Sequence, residues 1–85
     1  MKCVCITTRE DVLTGMRLAG IEGSLVVGRE DALRSLNTVK ANKEVALVLM
    51  CPEACALLQE EVEEMKLHGS RPLLLEIPAP DEKKR

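Results

Sequence analysis

The sequence predicts a single α/β domain built on a parallel sheet. Four short apolar runs have the length of strands: Lys2–Thr7, residues 25–27, Val45–Met50 and residues 73–77. The stretches between them carry apolar residues at helical spacing. Runs and stretches alternate one by one, so each strand reaches the next through a long crossover, and long crossovers join parallel neighbours.

The first run is apolar on both alternating sets, Cys3 and Cys5 on one face and Val4 and Ile6 on the other. That suits a strand covered on both sides. Thr8, Arg9, Glu10 and Asp11 then read as a capping box, with Thr8 as N-cap. Val12, Met16 and Ala19 mark the inner side of a first helix, and Gly20 can end it in the left-handed conformation. Leu25, Val26 and Val27 form the second strand, closed by Gly28. Glu30 and Asp31 favour the positive start of a second helix. Ala32, Leu33, Leu36 and Val39 are its buried stripe and Asn42 its stop.

Residues 45–50 are continuously apolar and too short for a free-standing helix, which predicts a central strand. Pro52 suits the first turn of a third helix, where its missing N–H costs little. Cys55, Leu58, Val62 and Met65 mark that helix's core side, and Gly69 its end. Glu53, Glu60, Glu61, Glu63 and Glu64 make much of the remainder acidic. The fourth strand runs from Leu73 to Ile77 between Pro72 and Pro78. Residues 1–78 thus form one three-layer domain with three helices. Its expected topology is flavodoxin-like, a four-stranded parallel sheet of order 2-1-3-4 with right-handed crossovers. Residues 79–85 read as a charged, flexible tail.

The core must be aliphatic and sulfur-rich, because 46% of the 85 residues are hydrophobic and none is aromatic. Without aromatic rings, and with a net charge of −2, the chain lacks both the stacking platforms and the basic field of a nucleic-acid binder. An RNA-binding module of the ribosomal-protein kind is therefore disfavoured. No run of 18 apolar residues predicts a membrane span. The opening residues are charged too early for a signal peptide. These features predict a cytoplasmic chain, whose four cysteines are reduced thiols.

Ligands of such sheets sit at the carboxyl ends of the strands. The turn after the first strand has no glycine, so a phosphate loop is not expected. A phosphorelay module needs acids after strand one, which Glu10 and Asp11 supply, and an Asp closing strand three. The third strand closes on Met50, Cys51 and Pro52, without the acceptor. Cys51 and Cys55 are spaced more widely than a Cys-x-x-Cys motif. With Cys5 they could form a thiol cluster for a soft metal, or simply be small buried fillers. His68, the sole histidine, stands about four turns from that cluster and has only Glu64 and Ser70 as near partners. The glutamates are a solvated helix face or a surface for a basic partner. No catalytic, cofactor or metal residue is therefore assigned, and no cofactor is expected. A small-ligand or phosphorelay module, and a thiol or metal protein using Cys5, Cys51 and Cys55, remain as alternatives.

Two segments are more specific. One is Thr14-Gly15-Met16-Arg17-Leu18-Ala19-Gly20-Ile21. The other is Arg71-Pro72-Leu73-Leu74-Leu75-Glu76-Ile77-Pro78. In these places, with an acidic third helix between them, the chain resembles the F subunit of the V-type (A/V-type) rotary ATPase over residues 1–78. That family carries a Thr-Gly-Phe-Arg-Leu-Ala-Gly-like stretch in its first helix and a Pro-x-x-x-Glu-Ile-Pro-like stretch at its last strand. The resemblance implies a noncatalytic central-stalk component that pairs with the long coiled-coil D subunit inside the catalytic head, with no nucleotide site and no membrane insertion. Met16 stands where the family often has Phe. Thr8 and Arg9 replace the acidic start of its first turn. The family's C-terminal helix, implicated in contact with the head and in regulation, has no counterpart in residues 79–85, which are too few for a stable helix. Thr14, Arg17 and Leu18 lie off the stripe of Val12, Met16 and Ala19, and are the candidate partner surface.

Overall fold

The computed structural model describes residues 2–68, with His68 by its backbone, and residues 72–77. The elements follow as β1 (Lys2–Thr7), α1 (Glu10–Leu18), β2 (Glu22–Leu25), α2 (Arg29–Ala41), β3 (Val45–Met50), α3 (Pro52–Leu57), α4 (Gln59–His68) and β4 (Leu73–Glu76). The four strands form one sheet in the order β2-β1-β3-β4, and every pairing is parallel. The α/β class and strand order are those expected.

The two faces of this sheet are built differently. On one, Val4, Ile6, Val48 and Met50 meet Ala32, Leu36 and Val39 of α2, and Cys55, Leu58, Val62 and Met65 of α3 and α4. On the other, Cys5 and Leu49 meet Val12, with Cys3, Met16, Ile21, Leu47 and Ile77 packed around them. The first face thus carries α2 and the α3–α4 pair, and the second carries α1.

Helix α1 approaches β2 closely because of Gly23. A β-carbon there would stand 2.6 Å from Leu13 Cδ1 and 3.0 Å from the Cys5 carbonyl oxygen. At its other end α1 stops as expected. Gly20 takes φ +86°, Ile21 N–H donates to the Met16 carbonyl at 2.8 Å and Gly20 N–H to that of Arg17 at 3.0 Å. This is a Schellman closure, and Met16 and Ile21, which share one cluster, supply its apolar contact.

Three expectations need correction. The third helix is two: α3 ends at Leu58, whose φ −120° and ψ 42° leave the helical region, and α4 resumes at Gln59. Leu58 is fully buried, and beyond the break α4 turns Val62 and Met65 to the core and Glu60, Glu63 and Glu64 outward. The second strand is Glu22–Leu25 rather than 25–27. Polar Glu22 and Ser24 suit an edge strand, while Val27 is 88% exposed beyond it. Thr8 is not the N-cap of α1; that position falls to Arg9, which makes no side-chain cap bond. The hydroxyl of Thr8 is instead engaged with Glu53. The expected helix stop at Gly69, the turn at Pro78 and the tail 79–85 lie outside the described residues.

Candidate functional site

The carboxyl ends of β1 and β3, the central strands, flank the position where the strand order reverses. This is where folds of this type hold ligands. Here the chain's own side chains occupy it. Thr7 is fully buried and Cys51 is 1% exposed. The Thr7 hydroxyl oxygen accepts the Arg9 N–H at 3.1 Å. The Thr8 hydroxyl donates to Glu53 Oε1 at 2.6 Å. Cys51 Sγ accepts the N–H groups of Thr8 and Ala54, each at 3.5 Å, and lies 3.5 Å from the Thr8 hydroxyl. Thr8 and Glu53 thus strap the turn after β1 to the start of α3. Sequence reading missed this strap, because the two residues lie 45 positions apart and Thr8 fits a local cap equally well.

The acids proposed for a phosphorelay site are engaged locally. Arg9 makes a bidentate contact with Asp11, at 3.1 and 2.8 Å, and that hydrogen bonding holds the Asp11 carboxyl below its usual range. Asp11 Oδ1 also accepts the Val12 N–H at 2.8 Å. The residue after β3 is a thiol, so the sheet offers no carboxylate there to accept a phosphoryl group.

The cysteines divide between the faces. Cys5 lies in the cluster under α1, whereas Cys51 and Cys55 belong to the opposite one. Among the described residues no group of three or more Cys, His, Asp or Glu side chains is placed to hold a metal. The three-thiol metal set is therefore not assembled, because the sheet stands between Cys5 and Cys55. The four thiols are free. Burial, with Cys51 and Cys3 nearby, pushes the Cys5 thiol up to about 11. Burial, with the Glu76 carboxylate nearby, raises Cys55 to about 11. Burial also acts to raise Cys51, but hydrogen bonds from Thr7, Thr8 and the Thr8 and Ala54 amides outweigh it, and its net direction is down. Cys5 and Cys55 are buried in the cores of the two faces. Cys51 is a structural acceptor that caps α3.

The candidate partner residues on α1 are exposed: Thr14, Arg17 and Leu18, the last at 86%. They do not form one patch. Leu13 faces Gly23 on the β2 side and Val12 faces Leu49 of β3. At about 100° per residue, this sets Arg17 towards β2 and Leu18 away from it. Arg17 accordingly lines a shallow groove with Gly20, Ile21, Glu22 and Gly23. A second groove, of about 320 Å³, runs between α3, α4 and β4, lined among others by Cys55, Lys66 and Glu76. His68 has no described side chain, so its proposed pairing with Glu64 or Ser70 lies outside the description.

A further apolar feature went unread in the sequence. Leu73 and Leu75 of β4 are 57% and 52% exposed. They pair with Leu47 and Leu49 on the α1 face of the sheet. No helix of the described residues is long and apolar enough to cross a membrane. A family model described as ATP synthase (F/14-kDa) subunit matches residues 4–85. No curated protein matches the chain significantly.

Proposed function

The chain belongs to the family of the ATP synthase (F/14-kDa) subunit, and from that membership we propose that it is a noncatalytic rotor component in the central stalk of a V/A-type rotary ATPase. It docks onto the long coiled-coil stalk protein near the catalytic head. There it helps couple ATP hydrolysis or synthesis to proton or sodium translocation, on the cytoplasmic side and peripheral to the membrane.

The family match over residues 4–85 is the observation that carries this reading. The site geometry supports it. The crevice at the carboxyl ends of β1 and β3 is filled by Thr7, Thr8, Cys51 and Glu53, so the chain's surfaces rather than a pocket are its means of acting. Exposed Thr14, Arg17 and Leu18 on α1 belong to the docking surface on this reading.

The test is co-expression with the coiled-coil stalk protein of the same rotary ATPase, followed by size-exclusion chromatography. The two proteins are expected to co-migrate as a stoichiometric complex, and Arg17→Glu is expected to weaken it. Reproducible separation from a well-folded coiled-coil partner would overturn the stalk assignment.

A further inference from the structure

A sharp helix break has an identifiable cause: a proline, a glycine or serine pair, a π-bulge, or a side chain inserted into the i→i−4 hydrogen-bond ladder. The sequence at the α3–α4 junction supplies no breaking residue. Between Pro52 and His68 the chain holds no glycine, proline, serine or threonine, and most of its residues there are strong helix formers. The apolar stripe is in phase for one helix as well. Cys55, Leu58, Val62 and Met65 all belong to the core and recur at helical spacing, so an unbroken helix would bury Leu58 too. The ladder is whole on either side of the junction, with Leu58 N–H on the Ala54 carbonyl at 3.3 Å and Val62 N–H on that of Leu58 at 2.8 Å. It fails between them, where Leu58 leaves the helical region.

Arg29, the first residue of α2, reaches into that gap. In a continuous helix the Leu57 carbonyl would accept the Glu61 N–H. Here it accepts Arg29 Nη1 at 2.9 Å. The same guanidinium grips the Glu61 carboxylate, Nη1 to Oε1 at 3.2 Å and Nη2 to Oε2 at 2.7 Å. That carboxylate in turn accepts a hydrogen bond from its own backbone N–H. Both ends of one ladder bond are thus held, directly or through the carboxylate, by one side chain of another helix. We infer that Arg29 is a wedge that keeps this helix broken, and that α3 and α4 form a two-state element: broken while Arg29 is seated, one helix over residues 52–68 once it leaves. On release the Gln59, Glu60 and Glu61 N–H groups regain the carbonyls of Cys55, Ala56 and Leu57. The regained bonds offset the lost ion pair, so the two states lie close in free energy. Arg29 is half-exposed, and its release needs no opening of the core. The groove between α3, α4 and β4 is lined from both sides of the break, by Cys55 and Ala56 before it and by Gln59 and Val62 after it. Seating or releasing Arg29 therefore reshapes that groove.

The test reads the backbone at the break by NMR in the full chain, comparing wild type with Arg29→Ala, Glu61→Ala and Arg34→Ala. In wild type the Leu58 carbon shifts should be non-helical. In Arg29→Ala they should become helical, and hydrogen exchange at the Glu61 amide should slow by about tenfold or more as the ladder closes over it. Glu61→Ala frees the same amide and should move Leu58 the same way by a smaller amount, so it decides the matter if Arg29→Ala does not fold. Arg34 pairs with Asp31 of its own helix. Arg34→Ala removes the same charge from α2 and should leave Leu58 as in wild type. Circular dichroism and thermal unfolding establish that each variant is folded. Helical Leu58 shifts in wild type would overturn the wedge. Non-helical shifts that persist in a folded Arg29→Ala would do so too, because the packing of Leu58 would then set the break. An equal change in Arg34→Ala would reduce the effect to net charge and overturn it likewise.

Discussion

The two faces of the sheet differ in what their leucines do. Leu36, on the face under α2, is fully buried, whereas Leu75, on the α1 face, is 52% exposed. Leu36 belongs to the core cluster of its face, whereas Leu75 stands outside the α1 cluster. On the closed face Ile6, Leu36, Val48, Met50 and Leu58 are fully buried, and burial there is stability. On the α1 face the same chemistry is left partly unspent and is available to another chain. A small domain buries a modest share of its surface in any case, and the exposed leucines lie on β4, at the edge of the sheet.

The largest effect should come from breaking that contrast directly. Leu36→Ala is expected to cost about 2–5 kcal/mol of unfolding free energy, through lost transfer energy and a residual cavity. Leu75→Ala should change stability by no more than about 0.5 kcal/mol. Chemical denaturation of the two variants beside wild type measures both. Equal costs would mean that the α1 face is as closed as the other.

Next is the junction that holds α1 in place. Gly23→Val puts a branched side chain where a β-carbon already crowds Leu13 and the Cys5 carbonyl. The Leu13 methyl can swing away, but the carbonyl is backbone and must move with β1. The expected cost is about 1–3 kcal/mol. The loss should appear as faster hydrogen exchange in α1 while α2 stays protected. Uniform loss of protection would show that the two faces unfold as one unit.

Much of this architecture was legible, because it rests on local periodicity. The both-sided apolar character of β1 and β3 gave their extents and central places. Most of the stripes of α2 and of α3–α4 are legible, though Leu33 is only partly buried and Ala54 goes unread, and Gly20 sits at its left-handed cap. What failed was what distant residues decide. β2 lies at Glu22–Leu25 because it pairs with Val4–Thr7 and because Gly23 admits α1. Three polar or small residues carry no apolar pattern of their own, whereas Leu25, Val26 and Val27 do. Thr8 looked like a cap until Glu53 and Cys51 arrived beside it. The surface residues were legible in part. Thr14, Arg17 and Leu18 are exposed as read, but residues 73–75 are three leucines in a row, which signals burial on both faces. Only the structure shows that, among the described residues, Leu73 and Leu75 are half-exposed on one of those faces.

The thiols compare the faces through pH. Cys5 under α1 and Cys55 under α3 are both raised to about 11. A thiol whose folded pKa is raised adds stability that is fully present below its unfolded pKa, near 8.5. That stability is lost as pH climbs towards the folded value. The wild-type melting temperature should therefore fall between about pH 8.5 and 11. Cys5→Ala/Cys55→Ala should be less stable at neutral pH but show a flatter alkaline limb, lysine titration being common to both proteins. Testing the single variants assigns the slope to a face. Cys5 is fully buried while Cys55 lines the groove between α3, α4 and β4, so Cys5→Ala should give the larger correction.

The smallest expected effect concerns how helices are held to one another. On the closed face Arg29 reaches from α2 to Glu61 of α4 at 2.7 Å and to the Leu57 carbonyl at 2.9 Å. The Arg9–Asp11 pair at the start of α1 spans only two residues. The Arg29 bond holds the Glu61 carboxyl below its usual range, so its contribution is present above the ordinary glutamate pKa, near 4.3. It is lost as pH falls through the depressed folded value. Because Arg29 is half-exposed, solvent screening keeps the contribution of the pair small. Arg29→Ala should therefore lower stability only slightly at neutral pH. The difference from wild type should shrink in high salt and below pH 4. A cost above about 2 kcal/mol that salt leaves unchanged would mean that the bond to the Leu57 carbonyl, rather than the charge pair, holds α2 against the end of α3. The closed face would then owe part of its closure to one backbone contact at the break between α3 and α4.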